Sequence, residues 1–335
     1  MPRMKVFNTL EAETFETPPV FNTVERKRFF TLPAGLDELV ETLRTPTNKV
    51  CFILVAGYFR SRRKFFPQRF RQADVDFVAA RLSASSDAID LNEYDRATAM
   101  RHQQMITEFF GYRKFDDDVK LRLRRELSSL VRSQTRPKLM LLEAVQSLVR
   151  QKTVVPSYNV LAKLIIESIN QHKRLLVRIV DRQLSPEQRG LLDTLLEKDV
   201  DASASDGETT DEASARLHRY RLTLLKKSFQ STRPAKIKAN VTDFQLLRGL
   251  YVELETAITA LGLTHEGLRY FANSVIKAEV FQVTRRTAQD RYLHLLAFIA
   301  YQTFKLQDTL VETLLQAVQS ALNTTQPRTQ REVLH

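Results

Sequence analysis

The chain is poor in the residues that build disulfides, phosphate loops and membrane spans. One cysteine, Cys51, stands among 335 residues. That excludes a disulfide scaffold and a cysteine-based zinc site, and it fits a reducing compartment. Eight glycines occur, never clustered as GxGxxG or GxxxxGK, so no phosphate-cradling loop is visible. Tryptophan is absent. The longest purely apolar runs, residues 50–56 and 295–301, hold seven residues each. A membrane helix needs about 20, and the first fifteen residues lack the apolar core of a secretory signal. A soluble chain without a membrane partner is therefore expected. The six histidines form no HExxH or other close pair, and no local carboxylate spacing reads as a metal site. Ser157 and Ser185 precede helical sequence and read as caps rather than nucleophiles. A complete enzyme is not expected, although residues distant in sequence remain free to meet in space.

What the chain does contain is helix formers and positive charge. Leu, Ala, Arg, Glu and Gln abound, and 43% of residues are hydrophobic, which points to an all-α fold. Lys and Arg number 51 against 39 acids, a formal charge of +12. Such a surplus fits a polyanion, because cations gain affinity by displacing condensed counterions.

The charge is local. Residues 60–71 (RSRRKFFPQRFR) carry six basic residues and no acid, interleaved with Phe65, Phe66 and Phe70. This is either a helix end whose Phe side chains anchor a core, or a phosphate-contacting edge. Just before it, Thr45-Pro46 reads as an N-cap with proline at the first helical position, opening an apolar helix that belongs in the core. One helix is expected over residues 91–110, with Arg96, Arg101, His102 and Gln103 on an exposed face, ended by Gly111 in the left-handed conformation. Residues 120–138 hold seven basic residues and one acid. Leu123, Leu127, Leu130 and Val131 form the inward stripe, with Arg122, Arg125, Ser129 and Arg132 opposite.

A helix-turn-helix outline follows. Leu141, Val145, Leu148 and Val149 line one helix, and a second opens at Tyr158, with Leu161, Leu164, Ile165 and Ile169 inward. Ser157 would cap it, leaving Tyr158, Asn159 and Lys163 on its first turns, where recognition helices meet base edges. Ser185-Pro186-Glu187-Gln188 and Thr242-Asp243-Phe244-Gln245 read as capping boxes. Helices are expected over 246–261, 264–280 and 287–322. Leu293, Leu296, Ala300, Phe304, Val311, Leu314, Leu315 and Val318 line the last, as a packing seam or a dimer surface. Between these regions, residues 197–212 hold seven acids, and residues 216–238 hold eight basic residues and none. The acidic tract either pairs with the basic one or screens it from DNA.

The segments FFTLP (29–33), TPTNKVCFILVAGYFRSRRKFFP (45–67), DFVAARL and RHQQMITEFFGYRKF (101–115) resemble the N-terminal region of Tn-three family transposases, the enzymes of replicative class II transposons. RPKLMLLEAVQSLVRQKTVVPSYNVLAKLI (136–165) and RYLHLLAFIAYQTFKLQDTLVETLL extend the likeness over essentially the whole chain. The resemblance implies tandem helical DNA-binding modules that recognise terminal inverted repeats, followed by a helical scaffold or dimerisation region. It implies double-stranded DNA as partner, with a homodimer or a full-length transposase as a second one, in the bacterial cytoplasm near the nucleoid. Catalysis in that family belongs to a separate RNase H-like domain with an Asp-Asp-Glu site and Mg²⁺, so no catalytic residue and no cofactor is expected here.

The resulting organisation is a first DNA-binding region (1–115), a second (116–196, with its helix-turn-helix-like part at 136–170), an acidic linker (197–214), a scaffold (215–322) and a polar tail (323–335) that looks like the start of a linker. Arg62, Arg63, Lys64, Arg69, Arg71, Arg122, Arg125 and Arg132 are expected on phosphates. Arg101, His102, Arg113, Tyr158, Asn159 and Lys163 are candidates for local readout, with Lys114 beside them. The alternative from another class is a helical fragment that dimerises with a full-length transposase and inhibits it.

Overall fold

Ten consecutive residues of one helix, 50–59, are withdrawn from water on every side, and the first part of the molecule is organised around them. The computed structural model describes residues 5–67, 69–85, 89–133, 136–197, 220–226 and 233–333, the side chains of 321 and 324–333 excepted. Among these residues the fold is all-α, with fifteen helices, one 3-10 turn and no strand. The chain divides into two compact units, Met1–Asn170 and Gln171–His335. The tract 197–212 and the start of the basic run after it fall almost wholly outside the described residues.

Unit 1 contains α1 (Thr9–Glu16), α2 (Thr23–Phe30), α3 (Ala34–Glu41), α4 (Pro46–Arg62), α5 (Gln72–Arg81), α6 (Arg96–Phe110), α7 (Asp117–Ser133), α8 (Pro137–Arg150) and the first half of α9 (Tyr158–Gln183). The Thr45 side chain accepts the Asn48 N–H at 3.2 Å, and Pro46 takes the first helical position, as that pair predicts. Helix α4 is the hub, contacted by α2, α3, α5 and α6. Its residue Gly57 is fixed by packing. A Cβ there would lie 2.4 Å from Cδ1 of the buried Phe30 ring, so only glycine lets α2 and α4 approach this closely. Inside this aromatic core, Asp74 is fully buried and satisfied, accepting from Arg26 Nε at 2.7 Å and from the Tyr58 hydroxyl at 2.8 Å. A second core is aliphatic: Val119, Leu123, Leu127 and Val131 of α7 meet Met140, Leu141 and Leu148 of α8 and Leu161, Leu164, Ile165 and Ile169 of α9.

One helix expected over 91–110 is two elements. A 3-10 turn, Leu91–Glu93, ends before Asp95, whose side chain accepts the Thr98 N–H at 2.7 Å and starts α6 afresh. A strong N-cap inside an apparently continuous pattern restarts the helix on a new axis.

Unit 2 contains the rest of α9, then α10 (Pro186–Thr194), α11 (Arg221–Leu225), α12 (Pro234–Ala260), α13 (His265–Ile276), α14 (Val280–Thr284) and α15 (Ala288–Val333). Ser185 and Gln188 form the capping box read from sequence. Thr242 does not cap: α12 already begins at Pro234, and the Thr242 hydroxyl donates back to Lys238 O at 3.1 Å within it. The helix expected over 264–280 stops at Ile276, and Glu279 with Gln282 caps a further short one. Residues 292–300 of α15 are buried, packed on α12 and α13. The stripe does not stay inside. Phe304, Val311, Leu314, Leu315 and Val318 are exposed, and the helix continues through Val333 where a polar tail was expected.

Candidate nucleic-acid interface

Three chain segments of unit 1 meet where the two cores adjoin, and each brings a cation. The first is the end of α4. Arg63 takes the left-handed conformation (φ 53°) and donates its N–H to Phe59 O at 2.7 Å, closing the helix. The second is the turn after α6, where Gly111 (φ 65°) supplies the left-handed residue the sequence predicts and Tyr112 N–H reaches Thr107 O at 2.8 Å. The third is the α8–α9 connection, in which Lys152 is also left-handed (φ 49°). A non-glycine residue with positive φ costs about 1 kcal/mol and persists only when its surroundings hold it.

The surroundings here are backbone hydrogen bonds. Arg113 N–H donates to Lys152 O at 2.9 Å, Val154 N–H to Arg113 O at 3.0 Å, and Val155 N–H to Arg63 O at 2.8 Å. Arg113 and Thr153 thereby form an isolated parallel bridge, reinforced by Arg113 Nε donating to the buried Thr153 hydroxyl at 3.1 Å. The Arg63 guanidinium lies 5.6 Å from the Tyr112 ring centroid and 5.9 Å from that of Phe59. Aromatic faces attract the cation without neutralising it. No carboxylate pairs with Arg63, Arg113 or Lys152 among the described residues. Nearby, Arg60 donates to the carbonyls of Phe29 and Thr31. Burial, and then the charges of Arg63 and Arg28, lower its pKa.

A second cationic surface stands on α7. Arg122, Arg125 and Arg132 are exposed, as the stripe predicts. Arg124, Arg125, Ser128, Ser129 and Arg132 line a shallow open depression there, and Arg124 pairs with Glu167 at 3.0 Å.

The remaining candidates separate by exposure. Arg62, Arg69, Arg101, Lys114, Asn159 and Lys163 face solvent, Arg101 bonded to the Thr98 hydroxyl at 2.9 Å. Asn159 and Lys163, four apart on α9, share one side of it. Arg71 is half-buried, and its Nε donates to the carbonyls of Pro18 and Pro19, so it ties the chain together. Two residues placed on the surface from sequence are inside. Lys64 is 4% exposed and pairs with Glu16 at 2.8 Å. Burial lowers its pKa against the opposing pull of Glu16. His102 is 2% exposed, bonded through Nδ1 to the Tyr94 hydroxyl at 3.0 Å, and burial lowers its pKa to about 4. It is a neutral core residue and reaches no base edge. Tyr158 is half-buried, stacked on Phe7 with its hydroxyl accepting the Phe7 N–H at 3.1 Å. The Glu16 carboxylate accepts the Tyr158 N–H, at the helix start assigned to Ser157.

Lys152 is the residue that sequence reasoning passed over. Its signal was a lysine in the turn of the helix-turn-helix outline; its alignment with Arg63 and Arg113 arises only from pairing across tens of residues. No group of three or more His, Cys, Asp or Glu side chains among the described residues is placed to hold a metal ion. Cys51 is buried, with its pKa raised to about 12, and is no nucleophile.

The arrangement is a cationic surface on a helical scaffold. Residues 6–168, nearly all of unit 1, match a family described as a domain of unknown function (DUF4158). No curated protein matches the chain.

Proposed function

We propose that this chain binds double-stranded DNA and engages the terminal inverted repeats of a transposon, as the non-catalytic, DNA-reading part of a Tn-three-like transposase. The observation that carries the reading is the convergence of Arg63, Arg113 and Lys152, none paired with a carboxylate among the described residues, on a backbone held in place by hydrogen bonds. Fixed cations spaced along a surface position a phosphate backbone, while side chains on an adjacent helix start read bases. Arg62, Lys114 and the α7 arginines extend the phosphate contacts. Asn159 and Lys163 carry readout.

A gel shift with a panel of repeat-end duplexes, in excess unrelated DNA, tests this directly. Retention of one repeat supports the reading, and equal displacement of all duplexes opposes it. In this reading strand cleavage belongs to a separate Asp-Asp-Glu domain. Mg²⁺ and a repeat-end substrate added to this chain should therefore yield no cut product.

A second reading has its own observation. The exposed apolar residues Val311, Leu314, Leu315, Val318 and Leu322 on α15 favour a helical protein-interaction fragment that dimerises with a full-length transposase and inhibits it. Retention of the repeat by the chain alone separates the two.

A further inference from the structure

Helix α1 lies at the edge of unit 1, with Phe15 as its one aromatic contact to the second core, edge-on to Tyr158 with ring centroids 6.4 Å apart. None of its residues is buried, and Leu10 is 72% exposed. Between α1, the end of α4 and the face of α8 runs a groove of about 690 Å³, walled by Phe15, Leu141, Val145 and Val149. A helix that belonged to the core would fill such a space at interior density.

Beside the contacts of Phe15 with Phe7 and Tyr158, charge holds α1. Its sequence TLEAETFE contains three glutamates and no basic residue. Glu16 pairs with Lys64 and also accepts the Tyr158 N–H at the start of α9, and Glu11 pairs with Lys138. A carboxylate shared between a lysine and a helix N-terminus takes the place a phosphate oxygen would take. The groove is also continuous with the cationic junction, since Arg62, Arg63 and Val155 line it. Lys64 and Lys138 therefore belong to the same positive surface as Arg63, and differ in being neutralised by carboxylates of α1, Lys64 also in being buried.

We propose that α1 is a displaceable acidic strap: its carboxylates neutralise Lys64 and Lys138, and a nucleic-acid phosphate backbone replaces them as α1 lifts off. This rests on the DNA-binding reading and extends its surface by two cations. It also gives buried Lys64 the phosphate role that its sequence context suggested, now conditional on release of the strap.

Two experiments on the full chain test it. The first compares wild type, Glu11→Gln and the double variant Glu11→Gln/Glu16→Gln for binding to a repeat-end duplex by fluorescence anisotropy at about 100 mM salt, where phosphate contacts dominate affinity. The strap predicts affinity rising in that order, about five- to tenfold for the double variant. The second follows hydrogen exchange of the wild-type amides in residues 9–16 with and without the duplex. Faster exchange in the complex is expected, and it decides the matter if the double variant loses helix content because Lys64 is left buried and unpaired. Wild-type binding that the substitutions leave unchanged, with α1 equally or better protected in the complex, overturns the strap and spares the DNA-binding reading. Failure of every version of the chain to bind overturns both.

Discussion

The two cationic surfaces of unit 1 carry the same kind of charge and hold it in different ways. On α7, Arg122, Arg125 and Arg132 stand on one regular helix, and the 3.6-residue period alone puts them on the solvent side. At the junction, Arg63, Arg113 and Lys152 come from segments separated by tens of residues, and their backbones are tied to one another. A helix face presents flexible side chains that adapt to any polyanion. A tied junction presents positions, which is what fixing the register of a duplex requires. Under the proposed DNA-binding function, the difference gives affinity to both surfaces and orientation to the junction.

The sharpest way to break this comparison is to empty the junction. Arg63→Ala/Arg113→Ala/Lys152→Ala should weaken binding to all duplexes by about 100-fold at about 0.1 M salt, since every phosphate that is no longer neutralised keeps its condensed counterion. Anisotropy titrations on repeat and scrambled DNA check it. A loss confined to the repeat would reassign these residues to base readout.

Acid should act on the junction before it acts on α7. His102 lies on the buried face of α6, against Phe52 of α4, and the end of α6 forms one arm of the junction, while the core of α7, α8 and α9 includes no histidine among its buried residues. Its pKa is about 4 in the folded protein and about 6.5 in an unfolded chain. The unfolded state therefore takes up the proton first, and the stabilisation present above pH 6.5 is lost as pH falls toward 4. The loss is on the order of 2 kcal/mol after solvent screening. Hydrogen exchange at pH 7 and pH 5 should show α4 and α6 losing protection ahead of α7. Uniform loss across unit 1 would contradict the assignment.

Smaller effects separate the remaining roles. Arg122→Ala/Arg125→Ala/Arg132→Ala should cost about 10-fold and flatten the slope of log affinity against log salt by about 0.9 for each phosphate no longer neutralised. Asn159→Ala should cost about five-fold on the preferred repeat and nothing on scrambled DNA, the mark of a base contact. Equal losses on both would make Asn159 another positioning residue.

Much of the fold was legible because it depends on local rules. The Thr45-Pro46 cap, the Ser185 capping box, Gly111 as a left-handed stop and the α7 stripe all follow from residues within one or two turns of each other. The misreadings share a different cause. Thr242 and Asp243 look like a cap, yet α12 starts at Pro234 and runs through them, because the surrounding packing outweighs a local alternative. Lys64 and His102 looked exposed from their neighbours. Glu16 is 48 residues from Lys64, and the Tyr94 hydroxyl meets His102 only after Asp95 redirects the helix. Lys152 was missed for the same reason: a binding surface made by three segments has no signature in any one of them.

The most direct test of the central claim is a salt titration of the wild-type chain and the Arg63/Arg113/Lys152 triple variant on one repeat-end duplex. The account predicts a straight line of log affinity against log salt for both proteins, with the variant weaker throughout and its slope shallower by about 2 to 3, as expected when three phosphates keep their counterions. Coincident lines would show that the junction does not touch the phosphate backbone, and would contradict it.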